Sequence, residues 1–288
     1  MSNRPSSGRR ATPSRITSDR RATSPRLGRL EVREDHEGIK LMAHGTLYAV
    51  LPPTPRQTPP PWLALAASPW MHDAGAPEAP IGLLGYGGGT VARLLRAADR
   101  RAVILGVDLD PDVLRLGRRH LRSAVSGVRV DQADAREWLR RPGPEFRALL
   151  DDLYAPAGGF LARPAELESI PALARKRLAP GGIYAVNLRC PPGREEKQIV
   201  LRIRRLFREV RVIHTLEYAH KVVVATDRPI RPGALGRALA RLLEPANRNG
   251  SLPADAGSCN PRTLGFRTVI RLPHGSDRHA TSKSRSNE

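Results

Sequence analysis

From Ile81 onward, short apolar runs alternate with stretches whose apolar residues recur at helical spacing. The runs IGLL (81–84) and AVILGV (102–107) are unbroken and of strand length, as expected for strands covered by helices on both faces. Between them Val91, Leu94, Leu95 and Ala98 fall at i, i+3, i+4 and i+7, which is one face of a helix. Asp110 followed by Pro111 supplies an N-cap and a first-turn proline for a second helix, with Leu114, Gly117 and Leu121 along one side. VRV (128–130) then reads as a strand, DAREWL (134–139) as a short helix and RALLDD (147–152) as a fourth strand. A helix over Pro171–Leu178 closes on APGG, where Pro180 and Gly181 suit the centre of a type II turn leading into the strand IYAVNL (183–188). Ile199, Ile203, Leu206 and Phe207 mark a further helix face. The last two strands, VRVIHTL (210–216) and KVVVAT (221–226), are four residues apart, too close for a crossover helix, so they pair antiparallel. The sum predicts an α/β fold with a doubly wound, mostly parallel, Rossmann-like sheet and one antiparallel strand.

The flanks have a different character. Residues 1–35 read as a disordered basic tail, polar and proline-rich, without enough apolar surface to offset the entropy of ordering. Residues 36–80 form a lead-in with one or two strands around Lys40–Val50, followed by a proline-dense strap expected to be extended or turned. The Rossmann-like domain spans 81–245, a C-terminal extension 246–272, and a second disordered tail 273–288.

Charge changes the picture little. The 288 residues carry a formal +20, which invites a nucleic-acid partner through phosphate attraction. Yet only five of the 48 basic residues are Lys, and the Arg excess accompanies abundant Ala, Gly and Pro, a pattern that genomic base composition also produces. With no basic helix interleaved with aromatics, nucleic acid is the lesser reading and a small-molecule acceptor the greater one. No run of eighteen apolar residues and no apolar leader stand in the chain, so neither a membrane span nor secretion is expected. Cys190 and Cys259 have no metal-ligand spacing, so no metal is expected, and two lone thiols fit a cytoplasmic protein.

Chemistry concentrates in LLGYGGGT (83–90). Gly85, Gly87 and Gly89 follow a strand and open a helix, where missing side chains let backbone amides approach a ligand. Asp108, nineteen residues beyond Gly89 at the end of the next strand, is placed to accept hydrogen bonds from ribose hydroxyls. Thr90 stands where a dinucleotide fingerprint would carry its third glycine, a mild departure. The loop by itself leaves a dinucleotide and other nucleosides open.

Five segments in order, LLGYGGGT, GVDLDPDVL, VRVDQADAREWL, ALLDDLY and LAPGGIYAVNL, resemble the successive motifs of class I S-adenosylmethionine-dependent methyltransferases, and most closely their spermidine synthase-like branch. The resemblance covers about residues 81–226 and implies a seven-stranded sheet with one antiparallel strand. It implies that Gly85, Gly87 and Gly89 pack against the amino-acid part and ribose of S-adenosylmethionine or its decarboxylated form, with Asp108 on the ribose. It places Asp134 and Ala135 at the adenine edge and Leu109 against the purine. Asp134 also suits a plain helix N-cap. Asp152, at the carboxyl end of the fourth strand, faces cofactor and acceptor as the candidate for orienting or deprotonating the latter, and Tyr154 is a candidate wall or hydrogen-bond partner. Aminopropyltransferases of this branch carry a second acid three residues after the first; matching the first to Asp152 puts Ala155 there.

The reading is therefore a methyltransferase on an unknown acceptor, which the resemblance makes plausible as a homodimer. An aminopropyltransferase and a catalytically silent nucleoside-binding module are the alternatives, and a nicotinamide oxidoreductase ranks last. Asn187 occupies another ligand-facing strand end, whereas Trp62 and Trp138 read as packing residues, His214 and His220 as ordinary strand and turn residues, and Asp151 as a solvated edge acid.

Overall fold

The computed structural model describes residues 20–72, 78–157, 160–189, 194–215, 220–243 and 260–272. Four N-terminal strands, β1 (Arg21–Ser24), β2 (Gly28–Asp35), β3 (Gly38–Ala43) and β4 (Thr46–Leu51), form an antiparallel meander. This lead-in is larger than its sequence suggests. Residues 21–35, expected within the disordered tail, form β1 and β2 because Leu27, Leu30 and Val32 find an apolar partner surface in Val113, Leu116 and Leu121. That surface belongs to α3 (Pro111–His120) and its C-cap Leu121, distant in sequence, so a local count of apolar residues underestimates the order of this stretch. The strap departs from expectation too: α1 (Pro60–Ala67) starts on prolines, which cost nothing in a first helical turn, and Leu63–Ala67 is wholly buried.

Among the described residues the main sheet contains β5 (Ile81–Leu84), β6 (Ile104–Asp108), β7 (Val128–Gln132), β8 (Phe146–Asp151), β11 (Leu178–Arg189), β12 (Glu209–Thr215), β13 (His220–Thr226) and β14 (Phe266–Leu272), in the order β14-β12-β13-β11-β8-β5-β6-β7. The first seven make the expected mostly parallel sheet with β13 as its antiparallel strand, and β14 adds an eighth strand antiparallel to β12 at the edge. A short hairpin, β9 (Ala155–Ala157) with β10 (Phe160–Ala162), follows β8. The Pro180–Gly181 turn is absorbed into β11: Gly181 takes φ +76° and the pairing with β8 shifts register between Leu178 and Ile183, so the strand bulges and continues.

Helices cover both sheet faces. α1, α2 (Thr90–Ala98) and α7 (Ala234–Leu243) bury one core around Ile81, Ile104, Ala148 and Val224. On the other face α4 (Ala135–Arg140), α5 (Ile170–Arg177) and α6 (Arg194–Leu206) pack over Leu84, Phe146, Tyr184 and Val223. With both faces covered, β8 is buried at every position, as its unbroken apolar run requires. Asp110 caps α3 as expected, accepting from the amides of Asp112 and Val113. Its carboxylate also receives the Ser24 hydroxyl, which ties β1 to the start of that helix. The meander thus sits over the loop between β5 and α2, and its β4 is sewn to α2 by Thr90, whose hydroxyl both donates to Val50 O (2.8 Å) and accepts from Val50 N (3.0 Å). No described helix is long and apolar enough to cross a membrane.

Candidate active site

At the carboxyl ends of β5, β8 and β11, beneath β4 and α1, lies a cavity of about 400 Å³, a volume usual for a small-molecule site. Its floor is the glycine loop. Gly85, Gly87 and Gly89 all take positive φ, but for different neighbours. A Cβ on Gly85 would meet the Asp152 carbonyl oxygen at 2.6 Å, and one on Gly89 would meet Ser123 Cβ at 2.8 Å. At Gly87 it would meet only the Tyr48 ring, at 3.6 Å. Gly85 and Gly89 are therefore required by packing, whereas at Gly87 a Cβ would meet only that ring at ordinary contact distance.

Asp108 stands directly behind this loop, 5% exposed. Its Oδ2 accepts from Gly87 N (2.7 Å) and its Oδ1 from Asp110 N (3.0 Å). Burial pushes its carboxyl up to about 6 against the opposing pull of these amides. Asp134 caps α4 through Arg136 N (2.7 Å) and pairs with the Arg136 guanidinium (2.7 Å), which holds its carboxyl below the usual range. Leu109 is exposed and Ala135 is buried beside Trp138. The fold thus brings Gly85, Gly87, Asp152 and Tyr154 to one cavity and leaves Gly89, Asp108, Leu109, Asp134 and Ala135 off its described wall.

Asp152 is the chemical centre of that cavity. Its main-chain amide continues the β5–β8 pairing, donating to Leu84 O (2.8 Å), and this fixes the side chain above the strand ends. Oδ1 accepts from Asn187 Nδ2 (2.8 Å) and Oδ2 from Trp62 Nε1 (2.8 Å). Desolvation raises the carboxyl to about 6, and the Asn187 and Trp62 donors limit the rise. Because the Asn187 amide nitrogen serves Asp152, its Oδ1 faces His220 Nδ1 at 2.9 Å, so that nitrogen carries the proton. Burial first, then the nearby Arg189 charge, lowers His220 to about 4, which keeps its ring neutral at neutral pH. Tyr154 donates to Asn187 O (2.8 Å) and meets the His220 ring edge-on.

Asp151 corrects the reading of a solvated edge acid. It is fully buried, bound by both Arg163 nitrogens (2.8 and 2.7 Å) and by the Tyr184 hydroxyl (2.6 Å). The two adjacent carboxylates thereby divide roles, since strand alternation sends Asp151 inward to an ion pair and leaves Asp152 for the cavity. Trp62, Tyr48, Arg189 and His220 are among the wall residues that escaped the sequence reading. Trp62 and His220 had a local signal. Three prolines before Trp62 mark a helix start, and the antiparallel pairing of the last strands sets His220 opposite Arg189 at the end of β11. Tyr48 had none, because its position depends on how the meander docks.

No family model matches the chain. A polyamine aminopropyltransferase of Mycobacterium tuberculosis is 37% identical over 118 residues, a match covering 38% of this chain and 22% of that relative. The chain thus spans under a quarter of the length of the curated relatives it matches. Among solved structures, a probable spermidine synthase from Corynebacterium glutamicum superposes with a TM-score of 0.63 at 18% identity, over 93% of this chain and 95% of the other. A spermidine synthase in complex with the transition-state analogue AdoDATO gives 0.56 at 14%, over 75% and 76%. Human Methyltransferase-like protein 13 in complex with SAH gives 0.51 at 17%, over 65% and 89%. The fold is therefore that of class I S-adenosylmethionine-dependent transferases. Within that class its likeness is to spermidine synthases in fold and, over 118 residues, to a polyamine aminopropyltransferase in sequence.

Proposed function

We propose that this protein is a cytoplasmic S-adenosylmethionine-dependent methyltransferase acting on a small-molecule acceptor. The observation that carries the reading is a single carboxylate, Asp152, held by Trp62 and Asn187 on the wall of a cavity whose floor is Gly85 and Gly87. The residues fit a sulfonium nucleoside: Gly87 leaves its face of the cavity uncrowded, and Asp108 is one hydrogen bond behind it for the ribose. Bound there, the donor supplies a methyl carbon with a neutral thioether as its leaving group. The chain's own residues position and deprotonate. As the acceptor's lone pair bonds to that carbon and the carbon–sulfur pair goes to sulfur, Asp152 takes the acceptor's proton. With a value near 6, Asp152 is ionised at neutral pH yet basic enough for that work.

Ala155 favours methyl over aminopropyl transfer. It lies in β9, paired with Ala162, and offers no carboxylate where the aminopropyltransferases carry their second acid. The aminopropyl alternative keeps support from the polyamine aminopropyltransferase relative. Calorimetric titration with S-adenosylmethionine, decarboxylated S-adenosylmethionine and NAD separates the readings. Binding of the first in preference is expected, and Asp108→Ala should abolish it. Preference for the decarboxylated donor would replace methyl by aminopropyl transfer, and no binding of any would leave a silent module.

A further inference from the structure

His220 opens β13 on the wall of the cavity and reaches Asp152 through Asn187. Its Nδ1 lies 2.9 Å from Asn187 Oδ1, and Asn187 Nδ2 lies 2.8 Å from Asp152 Oδ1. A primary amide has donors at one end and an acceptor at the other, so turning it over exchanges the two. The Tyr154 hydroxyl binds the Asn187 main-chain carbonyl (2.8 Å), which holds the residue in place but acts on neither end of its amide. The choice of orientation therefore falls to the groups that the two ends meet. An ionised Asp152 accepts only the amide N–H, whereas a protonated Asp152 can equally donate to the amide oxygen. A proton on His220 Nδ1 keeps that oxygen turned away in both states.

We propose that His220 is a positioning residue for Asp152, acting through Asn187: its Nδ1–H holds the Asn187 oxygen, so that the Asn187 amide nitrogen stays on the carboxylate before and after proton uptake. The proposal rests on the reading of Asp152 as the group that takes the acceptor's proton. Burial keeps the His220 ring neutral at neutral pH, so it supplies a hydrogen bond and no charge. The Asn187 amide and the Trp62 indole then occupy one site on each Asp152 oxygen, and each oxygen keeps a second site at which the acceptor's proton can arrive.

The test is NMR on the full chain. In the unmodified protein at neutral pH, the ¹⁵N spectrum of the His220 ring should show the proton on Nδ1, and a proton on Nε2 alone would overturn the proposal before any variant is made. In His220→Leu the Asn187 oxygen is free to accept from protonated Asp152, so the ¹³C titration midpoint of that carboxyl should rise by about one unit. His220→Asn, which carries an amide N–H where Nδ1–H stood, should restore most of the shift. In an Asn187→Leu background, His220→Leu should add no further shift. An unmoved midpoint in His220→Leu, no restoration by His220→Asn, or a shift undiminished in the Asn187→Leu background would each overturn the positioning role and leave the transferase reading standing. Failure of the unmodified chain to bind S-adenosylmethionine in the calorimeter would instead overturn the transferase reading and leave these midpoints to be read as they are.

Discussion

Replacing Trp62 by Phe keeps an aromatic ring on the strap helix and removes one donor from Asp152. The carboxyl stands near 6, raised from an ordinary 3.8. Between those values the folded chain holds a proton that the unfolded chain has released. Stability contributed by this group therefore falls as pH rises through the window and stays lowered above it, by at most about 3 kcal/mol at ~1.4 kcal/mol per unit. The indole N–H bonds the ionised form, and a hydrogen bond to a charged group contributes about 1.5–3 kcal/mol. Losing it should raise Asp152 by about one to two units, to roughly 7–8. Titration of the ¹³C-labelled aspartate carboxyls by NMR reads this directly, with the Asp152 resonance assigned by its loss in Asp152→Asn. Urea denaturation supplies a second reading: the stability deficit of Trp62→Phe should grow between pH 4 and pH 8 by about the same 1.5–3 kcal/mol. A midpoint that stays put or moves down would refute the claim that Trp62 tunes this carboxylate.

Gly85→Ala should cost about 2–5 kcal/mol in urea denaturation, combining a left-handed φ of +82° with a Cβ 2.6 Å from the Asp152 carbonyl. Gly87→Ala, strained but uncrowded, should cost only about 1–2 kcal/mol, and equal losses would contradict the packing role of Gly85. Arg163→Met should cost about 3–5 kcal/mol by leaving Asp151 charged and buried without its partner. Adding Asp151→Asn should recover part of that loss, and a further fall in stability would show that the pair is not what stabilises this corner.

The strand and helix series from Ile81 to Thr226 was legible because both its periods are local. A continuous apolar run means a strand covered twice, and an i, i+3, i+4 stripe means a helix with one buried face. The four-residue gap before Lys221 likewise dictated the antiparallel β13. The N-terminal meander was not legible to the same degree. Ala22, Leu27 and Leu30 are sparse in a basic stretch and gain a core only when α3 is brought against them. Trp62 illustrates the same limit at the site: an aromatic after three prolines reads as packing until its indole nitrogen is seen on Asp152.

What the sequence by itself determined is the order of elements, the glycine loop with its acid, and the absence of a carboxylate at position 155, since each follows from residue type and spacing along one segment. Tertiary structure alone decided which of two neighbouring aspartates serves the cavity and which of three glycines are required by packing. It also decided that a tryptophan and an asparagine from separate elements tune one carboxylate, and that a histidine from a third holds the asparagine. Those outcomes depend on contacts between residues 33 to 90 positions apart. Desolvation, which raises Asp152 to about 6, and the hydrogen-bond partners that limit the rise exist only once those segments meet.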